Sequence, residues 1–327
     1  MRFLDAAAVD AALDDIALID RLEALFRVGC EMPVRHHHTI KAPTGPGSSD
    51  ALLLLMPAWT SAGATQRHVG VKIVTVFPDN GLKSLPAIYG QYLLLSGETG
   101  QPLALLDGAM LTKRRTACAS GLASRYLSRP DSRSLLMIGT GALAPQLIRV
   151  HCRVRPIERV AIWGRTEAHA QSLARQLADS LPRALGRAIS VIAASDRAAA
   201  VREADIVSCA TLSKTPLVEG AWLRPGQHVD LVGAYTPDMR ESDDAAVRAA
   251  RIFVDTKAGA MKEAGDIVLP LRSGEIAEDD VLADLYDLTR GQHAGRSQGD
   301  AQSITLFKSV GAALEDLAAA ELAVERA

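Results

Sequence analysis

The chain has few cysteines, few aromatic residues and no excess of either charge, and each scarcity excludes a class of protein. Its 327 residues include 4 Cys with no C-x-x-C pair, so neither a disulfide framework nor a zinc knuckle is expected. A reducing cytoplasm is the expected compartment. Because 36 Lys and Arg oppose 38 Asp and Glu, and aromatic residues make up only 4%, nucleic acid is not an expected partner.

Long hydrophobic runs are also missing. The longest apolar run, at 51–59, is far shorter than the roughly 20 residues that a bilayer span requires. The acidic first 15 residues have no signal-peptide character, so we expect neither a leader nor a membrane partner. The chain is nevertheless 48% hydrophobic and about twice the length of a usual folding unit, so two packed domains are expected.

The pattern of the chain changes near residue 110. Apolar residues recur at helical spacing over 10–30, and four strand-like stretches follow a turn-rich tract at 36–50. From Ser132, short strand-like runs alternate with helical stretches, which predicts an α/β, doubly wound parallel sheet. The last segment carries a helical apolar stripe that we expect to return to the first domain. We predict an α+β domain over 1–113 plus 305–327 and a doubly wound domain over 114–304.

A glycine-rich motif follows the first strand of the second domain. Gly139, Gly141 and Ala144 form a G-x-G-x-x-A pattern between the apolar stretch 134–138 and an expected helix. In this context the first glycine permits a tight turn, the second lets the backbone approach a pyrophosphate, and the alanine allows close helix packing. We therefore predict a Rossmann dinucleotide site. The alternative is a glycine-rich turn without a ligand.

The end of the next strand indicates which dinucleotide binds. An NAD enzyme usually has an acid there for the ribose 2′-hydroxyl, whereas this chain reads Trp163-Gly164-Arg165-Thr166. Arg165 can pair with a 2′-phosphate, and Thr166 can donate a hydrogen bond to it. We predict NADP(H), with NAD(H) bound more weakly. The alternative is a solvated arginine that begins a helix.

Three cations next to strand-like sequence are candidates for holding an anionic substrate. Lys72 interrupts the apolar stretch GVKIVTV, and a lysine there needs either an exposed edge or an anionic partner such as a substrate carboxylate. Arg35 follows Pro33-Val34, and Arg115 precedes the predicted nucleotide domain. Arg114 could serve in place of Arg115 on charge alone. Consecutive histidines at 36–38 would point to alternate faces of a strand, so no metal site is expected.

Ordered motifs over nearly the whole chain resemble the ornithine cyclodeaminase and mu-crystallin family. They are PVR at 33–35, LLMPAW at 54–59, VKIVTVFPDN at 71–80, LLDGAMLTKRRTAC at 105–118, GTGALA at 139–144, WGRT at 163–166, VGAYTPDMRE at 232–241 and TLFKSVGAALEDLAAA at 305–320. The resemblance implies a homodimer whose first domain binds substrate and dimerises. It also implies that Arg35, Lys72 and Arg115 surround the carboxylate of a small cyclic imino acid or amino acid, as catalytic residues. The implied cofactor contacts are Gly139, Thr140, Gly141, Ala142, Leu143, Gly164, Arg165, Thr166, Thr116, Ala210, Thr211, Val232 and Lys308.

The resemblance also bears on the activity. Deaminating members of the family carry an aspartate that aligns with Tyr235, and Asp238 should not be assumed to replace it. Without a base near the amine, the resemblance favours NADPH-dependent reduction of Δ1-pyrroline-2-carboxylate or Δ1-piperideine-2-carboxylate to L-proline or L-pipecolate. Two alternatives stay open: an ornithine cyclodeaminase that releases ammonia with NAD, and a non-catalytic, mu-crystallin-like protein that binds NADPH or another ligand.

Overall fold

The computed structural model of the protein describes residues 1–42, 49–64, 66–297 and 299–327. It divides into two compact units, the first being Met1–Arg115 with Ala313–Ala327 and the second Thr116–Ala312. The boundaries predicted from the sequence, after residues 113 and 304, lie two and eight residues before those of the structure, which fall after residues 115 and 312. Part of the turn-rich tract predicted at 36–50, residues 43–48, lies outside the described residues.

The first unit combines a mainly antiparallel sheet with helices. Its elements are β1 (Arg2–Leu4), α1 (Ala6–Ala12), α2 (Asp15–Val28), β2 (Cys30–Glu31), β3 (His36–Ile40), β4 (Ala51–Thr60), β5 (His68–Val76), β6 (Ile88–Ser96), β7 (Pro102–Asp107), the start of α3 (Gly108–Leu127), and, at the end of the chain, α11 (Ala313–Arg326). Within the described residues the sheet order is β1-β7-β6-β5-β4-β2, and β3 also pairs with β4. The single helix expected over 10–30 is divided because Asp14 is extended and accepts a hydrogen bond from the Ala17 N–H, which starts α2.

The sheet of the first unit has one buried face. Met56, Lys72, Tyr92 and Leu106 are neighbours across β4, β5, β6 and β7, so their side chains share a face, and all four are buried. Helix α11 packs against β4, β5 and β6 as well as α2. Because side chains alternate along a strand, Lys72 is directed to the covered face, and its exposed neighbour Ile73 lies on the other face.

The second unit is a parallel sheet with connecting helices. Its remaining elements are β8 (Ser134–Ile138), α4 (Ala144–Val154), β9 (Arg159–Trp163), α5 (Glu167–Leu185), β10 (Ser190–Ala193), α6 (Arg197–Glu203), β11 (Ile206–Cys209), β12 (His228–Leu231), α7 (Asp244–Ala249), β13 (Ala250–Val254), α8 (Lys257–Glu263), α9 (Gly265–Ser273), β14 (Val281–Asp284), α10 (Leu285–Thr289) and β15 (Ile304–Lys308). The order of the described strands is β10-β9-β8-β11-β12-β15-β13-β14, with every pairing parallel. The predicted α/β Rossmann fold is confirmed.

The end of the chain differs from the sequence expectation. Residues 304–308 form β15, which is inserted between β12 and β13, so this part of the predicted C-terminal segment belongs to the second unit. Its β-branched and aromatic residues suit a buried central strand, although the longer helical stripe concealed it. Only α11 lies in the first unit. No helix in the described part of the chain is long and apolar enough to cross a membrane.

Candidate active site

The predicted nucleotide motif lies where β8 ends. All five residues of β8 are buried, and Gly139 follows with φ 116°, a conformation that glycine adopts readily. A Cβ atom at position 139 would lie 2.6 Å from the carbonyl oxygen of Ala210. Pro145 occupies the first turn of α4, where its missing N–H removes no helical hydrogen bond. Strand, glycine turn and helix thus have the arrangement that accepts a dinucleotide pyrophosphate.

A cavity of about 700 Å³ opens beside this turn, at the carboxyl ends of the parallel strands. Its volume lies in the usual range of small-molecule sites, roughly 300–1,000 Å³. The cofactor residues predicted from the sequence that line it are Gly139, Thr140, Gly141, Leu143, Gly164, Arg165, Thr166, Ala210, Thr211 and Val232. Six further lining residues lie outside the sites and motifs predicted from the sequence, namely His169, Arg197, Leu212, Ser213, Thr215 and Leu217. The carboxyl ends of strands that are distant in sequence but adjacent in the sheet thus meet at one cavity, as expected for a doubly wound sheet.

Three predicted cofactor residues do not line this cavity. Ala142 is exposed within the glycine turn, and Thr116 is buried in α3. Lys308 is fully buried at the end of β15. The predicted contact of each of these residues with the cofactor stays a prediction.

The charged side chains along the cavity are positive. Arg165 is exposed and Arg197 is half-buried, and neither forms an ion pair with any residue that the structure describes. The lining also contains one histidine, His169. The described lining contains no Asp or Glu. The cavity therefore offers arginine donors to an anionic group and no carboxylate to accept a hydrogen bond from a ribose hydroxyl.

A buried glutamate holds two loops of the cavity together. One Glu241 carboxylate oxygen accepts hydrogen bonds from the Thr211 N–H (2.7 Å) and hydroxyl (2.9 Å), and the other accepts one from the Gly233 N–H (2.7 Å). The Lys308 Nζ atom lies 3.8 Å from a carboxylate oxygen of Glu241 and 3.6 Å from a carboxylate oxygen of Asp266. Burial raises the pKa of Glu241, against the effect of the Lys308 charge. Lys308 is thus placed to neutralise the acids that position the cavity wall.

The segment after β12 contains the two residues compared with the family aspartate. Tyr235 lines the cavity and is 43% exposed. Asp238 does not line it; its carboxylate accepts hydrogen bonds from Thr236 and lies 2.6 Å from Lys214 Nζ. The hydrogen bond with Lys214 lowers the pKa of Asp238 to about 2. Asp238 is therefore an ionised surface group that pairs with Lys214 outside the cavity.

The first unit contains a separate cluster of buried charges. Lys72 Nζ lies 2.6 Å from an Asp316 oxygen, and the Lys72 side chain is only 3% exposed. Arg115 Nε donates to the other Asp316 oxygen (3.0 Å), and Arg115 Nη1 donates to Glu315 (2.6 Å). Both acids lie in the first turn of α11 and are buried. Of the two alternatives for Lys72, an exposed edge or an anionic partner, the structure shows the second, with Asp316 of the chain itself as the partner.

Burial and mutual attraction set the protonation of this cluster. Burial lowers the pKa of Lys72 to about 8, with Asp316 opposing the shift and Arg115 and Arg35 adding to it. Burial would raise the pKa of Asp316, but Arg115 and Lys72 outweigh it and hold that pKa below its usual range. At neutral pH, Lys72 is consequently mainly protonated and Asp316 is ionised.

Two cations and two carboxylates are buried together in this cluster. Lys72 and Arg115 pair with Glu315 and Asp316, and the charge of the half-buried Arg35 is near enough to influence Lys72. The pairing matters because an uncompensated buried charge is unfavourable.

Arg114 does not share this environment. Its guanidinium pairs with Asp15 (3.0 Å) and Asp10 (3.4 Å), so of the two adjacent arginines it is Arg115 that joins Lys72. The histidines at 36–38 lie on β3 with alternating directions, and the rings of His36 and His38 are 6.1 Å apart. The described residues contain no group of three side chains arranged to hold a metal ion.

Comparison with known proteins assigns the chain to a family. The profile of the ornithine cyclodeaminase/mu-crystallin family matches residues 3–327. The chain belongs to this family. It is 44% identical to an uncharacterized protein of Schizosaccharomyces pombe, over 98% of this chain and 96% of that protein. It is 37% identical to the Δ1-pyrroline-2-carboxylate reductase of Colwellia psychrerythraea, over 100% of this chain and 99% of that enzyme.

Solved structures show the same fold over the full length. Thermococcus litoralis Δ1-pyrroline-2-carboxylate reductase, in complex with NADH and L-proline, has a TM-score of 0.88 and 32% identity, covering 100% of this chain and 97% of that chain. An archaeal alanine dehydrogenase dimer with bound NAD has a TM-score of 0.85 and 28% identity, covering 100% and 95% of the two chains. The predicted family and the prediction of an imine-reducing oxidoreductase are confirmed by these matches.

Proposed function

We propose that the chain reduces Δ1-pyrroline-2-carboxylate or Δ1-piperideine-2-carboxylate to L-proline or L-pipecolate with NADPH. The similarity to reductases named for the five-membered substrate supports the reaction. The observation that carries the substrate class is the proximity of three cationic side chains, the buried Lys72 and Arg115 and the half-buried Arg35, which suits a carboxylate ligand. The two ring sizes share this carboxylate and the adjacent C=N bond.

The residues of this cluster would bind and orient the substrate. Arg115 and Arg35 supply guanidinium donors suited to a carboxylate. Lys72 supplies an amino group that is mainly protonated near neutral pH. Fixing the carboxylate fixes the adjacent C2 atom, because the two are directly bonded. When bound, the nicotinamide supplies the hydride that is added to C2 of the imine. Lys72, or a water molecule that it orients, would deliver the proton to nitrogen.

Tyr235 and the charges of the cavity favour the reductive direction. Oxidation of an amino acid requires a base to take a proton from its ammonium group. The cavity lining that the structure describes has no carboxylate, and Asp238 is engaged with Lys214. Reduction of an imine that already exists requires a proton donor instead; Lys72 is protonated near neutral pH and becomes a base for the reverse reaction only as pH rises through its pKa of about 8.

The choice of NADPH over NADH rests on the second unit. The turn at Gly139 fits the pyrophosphate of either cofactor, so it does not discriminate between them. Arg165 and Thr166 line the cavity, and no acid lines it among the described residues. The solved relatives cited above carry NADH or NAD and do not support this preference. The proposed preference for NADPH therefore depends on Arg165 and Thr166 of this chain.

We also propose a homodimer formed through the outer face of the first-unit sheet. Apolar residues of β4, β5 and β6 occupy this face, and Trp59, Ile73 and Tyr89 are 38%, 38% and 47% exposed. An apolar sheet face of this kind is typical of an obligate subunit interface. The structural relative described as a dimer supports a second copy of the chain as the partner.

A substrate panel tests the proposed reaction. Purified protein would be supplied with NADPH and each cyclic imine, and with L-ornithine or L-alanine and the oxidised cofactor. Rapid NADPH consumption with a cyclic imine, slow L-proline oxidation only at alkaline pH, and no ammonia from ornithine are expected. Ammonia release from ornithine at a rate equal to imine reduction would identify a cyclodeaminase. NADPH binding without turnover of any substrate would identify a binding protein.

A further inference from the structure

Arg197 is held between two tryptophan rings at the nucleotide cavity. Its Cζ atom lies 4.8 Å from the ring centroid of Trp163 and 5.2 Å from that of Trp222. Trp163 ends β9, Trp222 belongs to the short 3₁₀ turn Gly220–Trp222, and Arg197 is the first residue of α6. Contacts with two rings restrict a side chain that is otherwise flexible, so the guanidinium is positioned in advance of ligand binding.

This guanidinium has no acidic partner among the residues that the structure describes. Arg197 forms no ion pair there, and its buried Nε atom has no hydrogen-bond partner. The preceding residue, Asp196, uses its carboxylate to accept the Ala199 N–H at the start of α6. Because the two rings contact the guanidinium, its hydrogen-bonding capacity lies at its edge, where arginine recognises phosphate oxygens.

Arg197 shares its cavity with Arg165. Both line it, together with Thr166 and His169, and no carboxylate joins them in the described lining. The pyrophosphate site at the Gly139 turn is served by backbone N–H groups at the start of α4 and does not account for two unpaired arginines. Two such cations in the lining of one cavity match a dianionic group better than they match a neutral hydroxyl.

We propose that Arg197 is a second residue that recognises the 2′-phosphate of NADPH, acting with Arg165. The inference rests on the proposed use of NADPH and names a specificity determinant that the glycine motif and the WGRT segment do not contain. The two arginines follow different strands: Arg165 lies in the connection between β9 and α5, and Arg197 begins α6 after β10. A stacked arginine with fixed orientation would add selectivity to the more exposed Arg165.

Binding measurements on matched variants test the proposal. Dissociation constants for NADPH and NADH would be measured calorimetrically for the native protein and for Arg197→Met, Arg165→Met and Arg202→Met. Arg202 lies on the same helix, is exposed and does not line the cavity, so its replacement controls for the loss of one positive charge on α6. Circular dichroism would establish that each variant is folded.

The expected result is a roughly tenfold or larger loss of the preference for NADPH in Arg197→Met and in Arg165→Met, with the native preference kept in Arg202→Met. Equal weakening of NADPH and NADH in Arg197→Met would show that the residue serves the common part of the cofactor, and would overturn the inference. So would an Arg197→Met preference equal to that of Arg202→Met. In both cases a loss of preference in Arg165→Met would leave the NADPH proposal standing. A native protein that binds both cofactors equally would overturn both proposals.

Discussion

Replacement of Asp316 by asparagine would test how the chain controls the charge of its buried lysine. Asp316 lies 2.6 Å from Lys72 Nζ and also accepts a hydrogen bond from Arg115. Asparagine keeps the size of the side chain and removes its negative charge. Arg115 retains Glu315 as a partner, so the variant changes the environment of Lys72 more than that of Arg115.

The expected effect follows from the charges around Lys72. Its pKa of about 8 reflects burial opposed by Asp316. An opposite charge at such a distance shifts a pKa by roughly 1–3 units, so the variant's Lys72 should titrate near roughly pH 5–7. At pH 7.5 most of its Lys72 would be neutral, and the KM for the imine carboxylate should rise by roughly tenfold or more. Because one anion and one proton are lost together, the net charge of the cluster stays unchanged, so the effect reports the proton on Lys72.

The assay is the pH dependence of kcat/KM for imine reduction, with the Kd for NADPH measured in parallel. In the native enzyme kcat/KM should fall as pH rises through about 8, the pKa of Lys72. In Asp316→Asn this fall should occur about 1–3 pH units lower. The ionisation of the substrate affects both enzymes equally, so it does not contribute to the difference between their two pH profiles. Glu325→Gln is the control, since it removes a more exposed acid from the same helix. Profiles that coincide for the native enzyme and Asp316→Asn would refute the assigned role of Asp316.

Three further predictions concern the cofactor, the substrate and the assembly. Arg165→Ala should weaken NADPH binding by about 1.5–3 kcal/mol and NADH binding much less, because a charge-assisted contact to the 2′-phosphate is lost; equal losses in fluorescence titrations would contradict this. Lys72→Met should leave the Kd for NADPH nearly unchanged and lower kcat/KM by roughly tenfold or more, since an ammonium donor to the carboxylate is removed; a native rate would make the lysine structural. Ile73→Glu should dissociate the dimer in sedimentation experiments, whereas Ile192→Glu, at a position 58% exposed in the second unit, should not; identical masses for both variants would exclude the proposed interface.

The nucleotide cavity could be predicted from the sequence because its determinants are local. The apolar strand, the glycine turn and the start of α4 are consecutive, and Gly139 needs its positive φ for reasons confined to that turn. Arg165 is found in the same way, by its place after the next strand. Arg197 has no such signal. Its position depends on Trp163 and Trp222, which the fold brings together from separate connections.

Strand β15 shows how a local pattern was misleading. Residues 304–308 immediately precede an apolar helical stripe, so the sequence pattern predicts a single C-terminal segment. The pairing of β15 with β12 and β13 decides its place, and neither partner is near it in sequence. The boundary inside this segment follows from sheet pairing, which periodicity does not report.

The buried lysine shows where sequence reasoning needed the fold. The sequence predicts that Lys72, on an apolar strand, has either an exposed edge or an anionic partner, but it does not decide between them. The sequence proposed a substrate carboxylate, whereas the structure places Asp316 there, on a helix whose acids lie 200 and 201 residues from Arg115 in the chain. Under the proposed function, substrate would meet cations that are already paired with acids of the chain. Affinity would then depend on the proton on Lys72, and the acids of α11 would limit the affinity for a carboxylate while keeping the cations buried and ordered.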